Sequence, residues 1–375
     1  MSSSEKPVQE ATLLAIEHIN ASGGLLGRKL EPVLMDGASD PDEFARQAER
    51  LTQQEGVKVL FGCWTSASRK SVLPVLRRNN ALLFYPLQYE GIEQSPNVVY
   101  TGATLNQQLV PGVKWAFDNL GKRFFLVGSD YVYPRVSNLV AATQIKGLGG
   151  EVVGEEYIPM GSDDVESLVE KIAESKPDVI LSTINGGSNQ AFFKALRAKG
   201  IKSTDIPTVS MSLTESLVQQ MGVDDVVGDY SVKNYFADID TEANKAFVES
   251  FKARFGADRV TDDPMEAAYF GVHLWAQAVR QAESLETVDV RATIGDQSYL
   301  APEGLVSIDP VSQHTWKTVR VGKFMPGGQV QIVWTSRGPI CPRPFPGYQS
   351  QADWDRYLLN IYSSWGNRWE PPVSH

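Results

Sequence analysis

The residues best suited to chemistry lie between positions 62 and 91. There Gly62-Cys63-Trp64-Thr65-Ser66-Ala67-Ser68-Arg69-Lys70 is followed, one amphipathic segment later, by Tyr85-Pro86-Leu87-Gln88-Tyr89-Glu90-Gly91. Aromatic faces set among hydroxyl, amide and carboxylate groups are equipment for holding a small polar molecule. Similar groups recur at Tyr131, Tyr133, Asn185, Asn234 and Glu266. Bond-making chemistry has far less to work with. There is no Gly-x-Ser-x-Gly elbow and no cysteine beside a histidine, and His18, His273, His314 and His375 lie far apart. The pattern is that of a binding protein, with catalytic residues: none.

Positioning these groups is the work of alternating strands and helices. Apolar Val8, Ala11, Ala15 and Ile19 recur at helical spacing after Pro7, and Gly23-Gly24 stops that helix. Strands are then expected over residues 30–35, 58–61 and 81–85, with helices over 40–54, 68–79 and 107–119. Parallel strands joined by a helix carry both strand ends to one rim, where open α/β folds bind ligands, so Trp64–Ser68 and Tyr85–Tyr89 should meet there. A second α/β unit restarts with strand 124–128 and helix 136–147. It continues through strands 151–157, 179–183, 208–210 and 230–232 and helices 165–174 and 190–198. Helices 244–255 and 264–282 follow, then β segments at 305–308, 315–321 and 331–334, and a proline- and aromatic-rich tail read as wrapped over a lobe.

With 375 residues, two domains are the default. A net charge of −10, from 45 acidic and 35 basic residues without a basic block, argues against binding a phosphate backbone, so no nucleic acid is expected as a partner. Two cysteines, Cys63 and Cys341, make neither a disulfide framework nor a thiolate metal site. No apolar run approaches the roughly 20 residues a bilayer requires.

Taken together, the Gly62–Lys70 turn, Tyr-Pro-Leu-Gln-Tyr-Glu-Gly at 85–91, Ser129-Asp130-Tyr131-Val132-Tyr133-Pro134-Arg135 and Asp263-Pro264-Met265-Glu266-Ala267-Ala268-Tyr269 resemble the type I periplasmic binding proteins, and most closely their urea and short-chain amide receptors. The likeness runs from Pro7 to about Pro339. It implies an α/β, two-lobed fold, each lobe a mainly parallel sheet flanked by helices, with three hinge crossovers. It also implies a ligand trapped by hinge closure, and delivery to the permease subunits of an ABC transporter without chemical conversion. Lobe 1 would take residues 1–120 and 238–314, lobe 2 residues 121–237 and 315–340, and the tail residues 341–375. Family members open with a strand that lies in the middle of the lobe 1 sheet. Here the chain starts at the residues that should follow it, which leads us to expect a longer natural protein with this strand and an export signal upstream. The location is then periplasmic or cell-surface-anchored, and cytoplasmic if Met1 is the true start.

Urea and small amides are planar and neutral, so their site needs flat walls plus hydroxyl, amide or carboxylate groups. The expected ligand-binding set is Trp64, Thr65, Ser66, Tyr85, Leu87, Gln88, Tyr89, Tyr131, Tyr133, Asn185, Asn234 and Glu266. Core or hinge packing is the alternative for the aromatics, helix capping for the hydroxyls, a plain turn for the asparagines and a helix N-terminal acid for Glu266. Arg69 and Arg135 read as surface or interlobe salt-bridge residues, since a neutral ligand offers a guanidinium no charged partner. Asp36, Asp40 and Asp42 form a hard-oxygen cluster with spacing suited to structural calcium, although helix capping explains most of it. No cofactor is required. The rival to transport is a cytoplasmic amide-sensing regulatory protein of the same fold.

Overall fold

Along Phe124-Phe125-Leu126-Val127 every residue is apolar, and a strand of this kind needs cover on both faces. In the computed structural model, which describes residues 2–372, Phe124 and Leu126 enter one core and Phe125 and Val127 another, on opposite faces of one sheet. Residue 1 and residues 373–375, the end of the expected tail, lie outside the described part.

The elements run α1 (Ser2–Ala21), α2 (Pro41–Gln53), β1 (Val59–Phe61), α3 (Ser66–Asn79), β2 (Leu82–Tyr85) and β3 (Val98–Tyr100). After a 3₁₀ turn at Leu105–Gln107 come α4 (Leu109–Asn119), β4 (Arg123–Ser129), α5 (Val132–Gly147), β5 (Glu151–Ile158) and α6 (Glu166–Ser175). Then follow β6 (Val179–Thr183), α7 (Ser188–Ala198), β7 (Thr208–Ser210), α8 (Glu215–Met221) and β8 (Tyr230–Lys233). The chain continues with α9 (Glu242–Phe255), α10 (Asp263–Ala282), α11 (Thr287–Ile294), β9 (Ser298–Ala301), β10 (Gly304–Ile308) and β11 (Thr315–Trp316). It closes with β12 (Arg320–Phe324), β13 (Val330–Thr335) and α12 (Gln351–Ser364).

Two lobes result. Lobe 1 holds a parallel sheet in the order β1-β2-β3 and a small antiparallel sheet β11-β10-β9. Alternation along β2 sends Leu82 and Phe84 toward α1 and α10, and Leu83 and Tyr85 toward α2 and α3. Lobe 2 holds seven strands in the order β13-β12-β8-β7-β6-β4-β5, parallel except where β12 joins.

The polypeptide crosses between lobes at residues 101–108, 234–237 and 317–319. One side chain ties all three crossings, for the Asn234 amide donates to the carbonyls of Gln107 (3.1 Å) and Thr318 (3.0 Å). Gly102 belongs to the first crossing for a steric reason: a Cβ there would fall 2.0 Å from the Leu87 carbonyl oxygen.

Several expectations need correction. Residues 30–35 form no strand, because nothing lies alongside for them to pair with. The strand expected over 315–321 is two, β11 in lobe 1 and β12 in lobe 2, since a crossing interrupts it. Helix α4 packs on lobe 2 through Val113 and Ala116, so the first crossing precedes it and does not fall at residue 120. Helix α5 starts at Val132, a turn before residue 136, since Pro134 is tolerated in a first turn. The tail contains α12, whose Trp354 and Leu358 enter the lobe 2 core.

Candidate functional site

At the rim of lobe 1, Thr65 caps α3, its Oγ1 accepting from the Ser68 N–H at 3.0 Å. The cap turns the next residues inward. Ser66 donates to the Glu90 carboxylate, while Arg69, one turn on, donates through Nη2 to Glu90 (3.1 Å) and through Nε to Glu93 (2.8 Å). Lys70 completes the cluster at 3.0 Å from Glu93. All are buried, Arg69 and Glu90 at 0 % exposure, and the guanidinium carbon sits 4.6 Å above Tyr85 and 4.4 Å above Tyr89. Burial by itself would raise the Glu93 pKa, but the Arg69 and Lys70 charges overcome it and hold the carboxyl well below the usual range. Both cations are thus consumed by lobe 1 carboxylates.

Lobe 2 faces this cluster with the N-terminal turn of α5. Tyr131 and Tyr133 are buried there with ring centroids 6.1 Å apart. Asn185 donates to the Tyr131 hydroxyl (3.0 Å) and is itself fixed by its N–H to Ser129 Oγ (3.0 Å). Burial pushes both tyrosine hydroxyls upward, and the charge of Glu90 adds to each shift, as does proximity to Tyr85. The two lobes therefore meet across Glu90, Tyr85, Tyr131 and Tyr133. Tyr133 Oη and Ser212 Oγ are buried there without hydrogen-bond partners, and Gln88 Oε1 is likewise buried and unpartnered in the turn that follows β2. Unpartnered buried polar atoms in a native cleft call for an occupant or water.

Of the residues singled out in the sequence, the structure thus brings together Ser66, Tyr85, Tyr89, Tyr131, Tyr133 and Asn185, while Gln88 is buried in the turn that follows β2. Others lie elsewhere. Thr65 is spent as a cap, and Leu87 belongs to the core of lobe 1. Trp64 lines a cavity on the far side of β1, and its carbonyl accepts from the Tyr85 hydroxyl at 2.9 Å. Asn234 is the hinge tie. Glu266 accepts from the Glu303 N–H at 3.1 Å, in a buried group with Lys317, whose Nζ lies 2.9 Å from Glu303.

Arg69 is neither at the surface nor between the lobes, because Glu90 and Glu93 of its own lobe neutralise it. Arg135 stays within lobe 2, on Asp130 at 2.8 Å and over the Tyr157 ring. Asp36 accepts from the Ala38 N–H and Asp40 from the Glu43 N–H, leaving Asp42 exposed. Among the described residues no group of three acidic, histidine or cysteine side chains converges as a metal site. Cys63 and Cys341 are both free thiols.

Glu90, Glu93 and Ser212 are the members that sequence reasoning did not single out. A signal existed for the first two: acids three apart just beyond the aromatic strand end, opposite the adjacent cations Arg69-Lys70 that open the preceding helix. Ser212 carried no comparable mark.

The tail reaches this cleft as well. Trp369 accepts through its carbonyl from the Val132 N–H at the start of α5 (3.1 Å), while Lys70 of lobe 1 lies 4.7 Å from its ring centroid. Pro344 accepts from the Ile92 N–H at 2.6 Å. The tail therefore touches both lobes.

Comparison with known proteins gives a consistent family. The periplasmic binding protein domain family matches residues 1–351. A Leu/Ile/Val-binding protein homolog of Brucella melitensis is 25% identical over 290 residues, covering 75% of this chain and 73% of that protein. The solute-binding protein of an ABC transporter from Rhodopseudomonas palustris, solved with 3,4-dihydroxybenzoic acid, superposes with a TM-score of 0.82 at 22% identity, over 90% of this chain and 94% of that one. A branched-chain amino acid transporter substrate-binding protein of Streptococcus pneumoniae, solved with isoleucine, gives a TM-score of 0.73 at 20% identity over 90% and 94%.

Proposed function

The chain belongs to the periplasmic binding protein domain family, and from that premise we propose that it is the substrate-binding protein of an ABC transporter, without chemical conversion, and that its cleft takes urea or a short-chain amide. The observation that carries this reading is the polar lining: three tyrosine rings, with Ser66 and Ser212, around a single carboxylate, Glu90. Neither Arg69 nor Lys70 is left over for a ligand carboxylate, because Glu90 and Glu93 hold both. A planar amide suits the setting, with N–H groups for Glu90 and a carbonyl for the hydroxyls of Tyr133 and Ser212.

Close burial of these groups supports a small ligand. Urea is small enough that about −1.5 kcal/mol per non-hydrogen atom amounts to about −6 kcal/mol, a dissociation constant of some tens of micromolar. Family membership implies a periplasmic location, and no described helix is long and apolar enough to cross a membrane. Permease subunits of the transporter are the corresponding partners.

The test is a calorimetric titration with urea, acetamide, isoleucine and 4-hydroxybenzoate in parallel. Urea or acetamide is expected to bind alone. Binding of isoleucine or hydroxybenzoate in their place overturns the amide reading and leaves the transport role standing.

A further inference from the structure

Hydroxyl hydrogens in the cleft divide by lobe. On the lobe 1 side those of Tyr85 and Ser66 are already spent, the first on the Trp64 carbonyl at 2.9 Å and the second on Glu90. What these three groups still offer a ligand is lone pairs. Lobe 2 is the reverse. Tyr133 and Ser212 make no hydrogen bond, and the Tyr131 hydroxyl, 3% exposed, receives one from Asn185 and gives none among the described residues.

The bond that Tyr131 receives sets its direction. Asn185 has two amide hydrogens, one on Tyr131 Oη (3.0 Å) and the other on the Thr183 carbonyl (3.2 Å). Turning the amide over would bring its oxygen against that carbonyl, two acceptors face to face, so the nitrogen is kept on Tyr131. The turn around it is pinned as well. Asn185 donates its backbone N–H to Ser129 Oγ (3.0 Å), and Asn189 Nδ2 donates to the carbonyls of Ile184 (3.0 Å) and Gly186 (3.1 Å) on either side. A tyrosine hydroxyl has one hydrogen. With a donor fixed on its oxygen, Tyr131 cannot turn that hydrogen back toward Asn185, and it is left for the cleft, where Tyr85 and Glu90 of lobe 1 face it.

We infer that Asn185 is a positioning residue, which holds Tyr131 as a hydrogen-bond donor to the ligand so that lobe 2 reads the carbonyl end of the ligand and lobe 1 its N–H end. The identity of the ligand rests on the amide reading above; the role of Asn185 rests on hydrogen-bond directions alone. A plain turn accounts for Gly186, at φ 63°, but leaves the bond to Tyr131 without a purpose. An aspartate in this place has only acceptors to offer when ionised. It would draw the Tyr131 hydrogen to itself and leave oxygen lone pairs facing the ligand carbonyl.

The test compares calorimetric affinities of Asn185→Asp, Asn185→Ala, Tyr131→Phe and the Asn185→Asp, Tyr131→Phe double variant. The probe is whichever of urea, acetamide, isoleucine and 4-hydroxybenzoate binds the unaltered chain. Each of these carries a carbonyl or carboxylate oxygen, so failure of the amide reading changes the probe and leaves the role of Asn185 under test. Asn185→Asp is expected to weaken binding at least about tenfold, and Asn185→Ala, which frees the hydroxyl without reversing it, by less. A packing role predicts the opposite order, since alanine removes more of the side chain than aspartate changes. In the Tyr131→Phe background, Asn185→Asp should cost less than about twofold, because the hydroxyl through which it acts is gone. Unchanged affinity in Asn185→Asp overturns the proposal. So does a larger loss in Asn185→Ala, or an Asn185→Asp loss undiminished in the Tyr131→Phe background.

Discussion

Lobe 2 and lobe 1 are built from the same units and finished differently. In lobe 2, β4 is paired on both sides, with β5 and β6, and its side chains are buried on both faces. In lobe 1, β1 is paired, among the described residues, with β2 alone, and all three of its residues are partly exposed. Lobe 2 stands on a closed hydrophobic sheet. Lobe 1 relies more on polar matter, the Arg69 cluster at its rim and the stack of Tyr89, Tyr100 and His314 behind it. Apolar burial is non-directional and tolerant, whereas a buried ionic network holds only while every member is present.

The sharpest way to break this contrast is Arg69→Met. It leaves Glu90 and Glu93 buried with only Lys70, and a loss of about 3–5 kcal/mol is expected, seen in thermal denaturation as early unfolding of lobe 1. Paired truncations sharpen the contrast in the other direction. Phe124→Ala in lobe 2 should cost about 3–5 kcal/mol, whereas Phe61→Ala, beside a cavity already open, should cost clearly less in the same assay.

Acid separates the lobes next. All three described histidines are in lobe 1, and burial lowers both His273 and His314 to about 4. His314 donates from Nδ1 to the Ser312 carbonyl, which leaves Nε2 to accept from Tyr89. The neutral ring is thus the one that fits. With folded values below the unfolded value of about 6.5, their contribution is complete above that pH and is lost as the pH falls from about 6.5 toward 4. In lobe 2, burial raises Asp229 to about 7 against the opposing pull of Arg197, so this group adds stability as the pH falls through the same range. Hydrogen exchange at pH 7 and pH 4.5 should therefore show lobe 1 loosening first.

Smaller effects belong to the cleft shared by both lobes. Tyr133→Phe and Ser66→Ala should each weaken amide binding by about 1 kcal/mol, roughly fivefold, with little change in melting temperature. Unchanged affinity in both would mean that the ligand is held elsewhere. Trp369→Ala, which removes the ring beside the buried Lys70 and keeps the carbonyl on Val132, is expected to shift affinity about twofold by calorimetry, a fraction of the about 0.5–2 kcal/mol that a cation–π contact is worth.

Much of this was legible in advance because it is local. Periodicity gave β6 at its observed limits and most helices to within a turn. The Gly62 and Tyr85 turns announced a rim, since any parallel βα unit carries its strand ends there. What failed was set by neighbours distant in sequence. Residues 30–35 have the composition of a strand and are none, for a strand is defined by its partner. Val98–Tyr100 passed unnoticed because three residues carry no period. Trp64 and Tyr85 read alike as rim aromatics, yet one lines the β1 cavity and the other the cleft.

The sequence by itself therefore determined a two-lobed α/β binding protein with an aromatic, hydroxyl-bearing rim, because those properties follow from residue type, period and turn chemistry. Only the tertiary structure decided that Arg69 is a buried counter-ion, that Asn234 ties the hinge and that the tail touches both lobes. It also decided that one edge of lobe 1 stands open. Each of these depends on which groups lose water together, and that is fixed when segments 20 to 250 residues apart pack against one another.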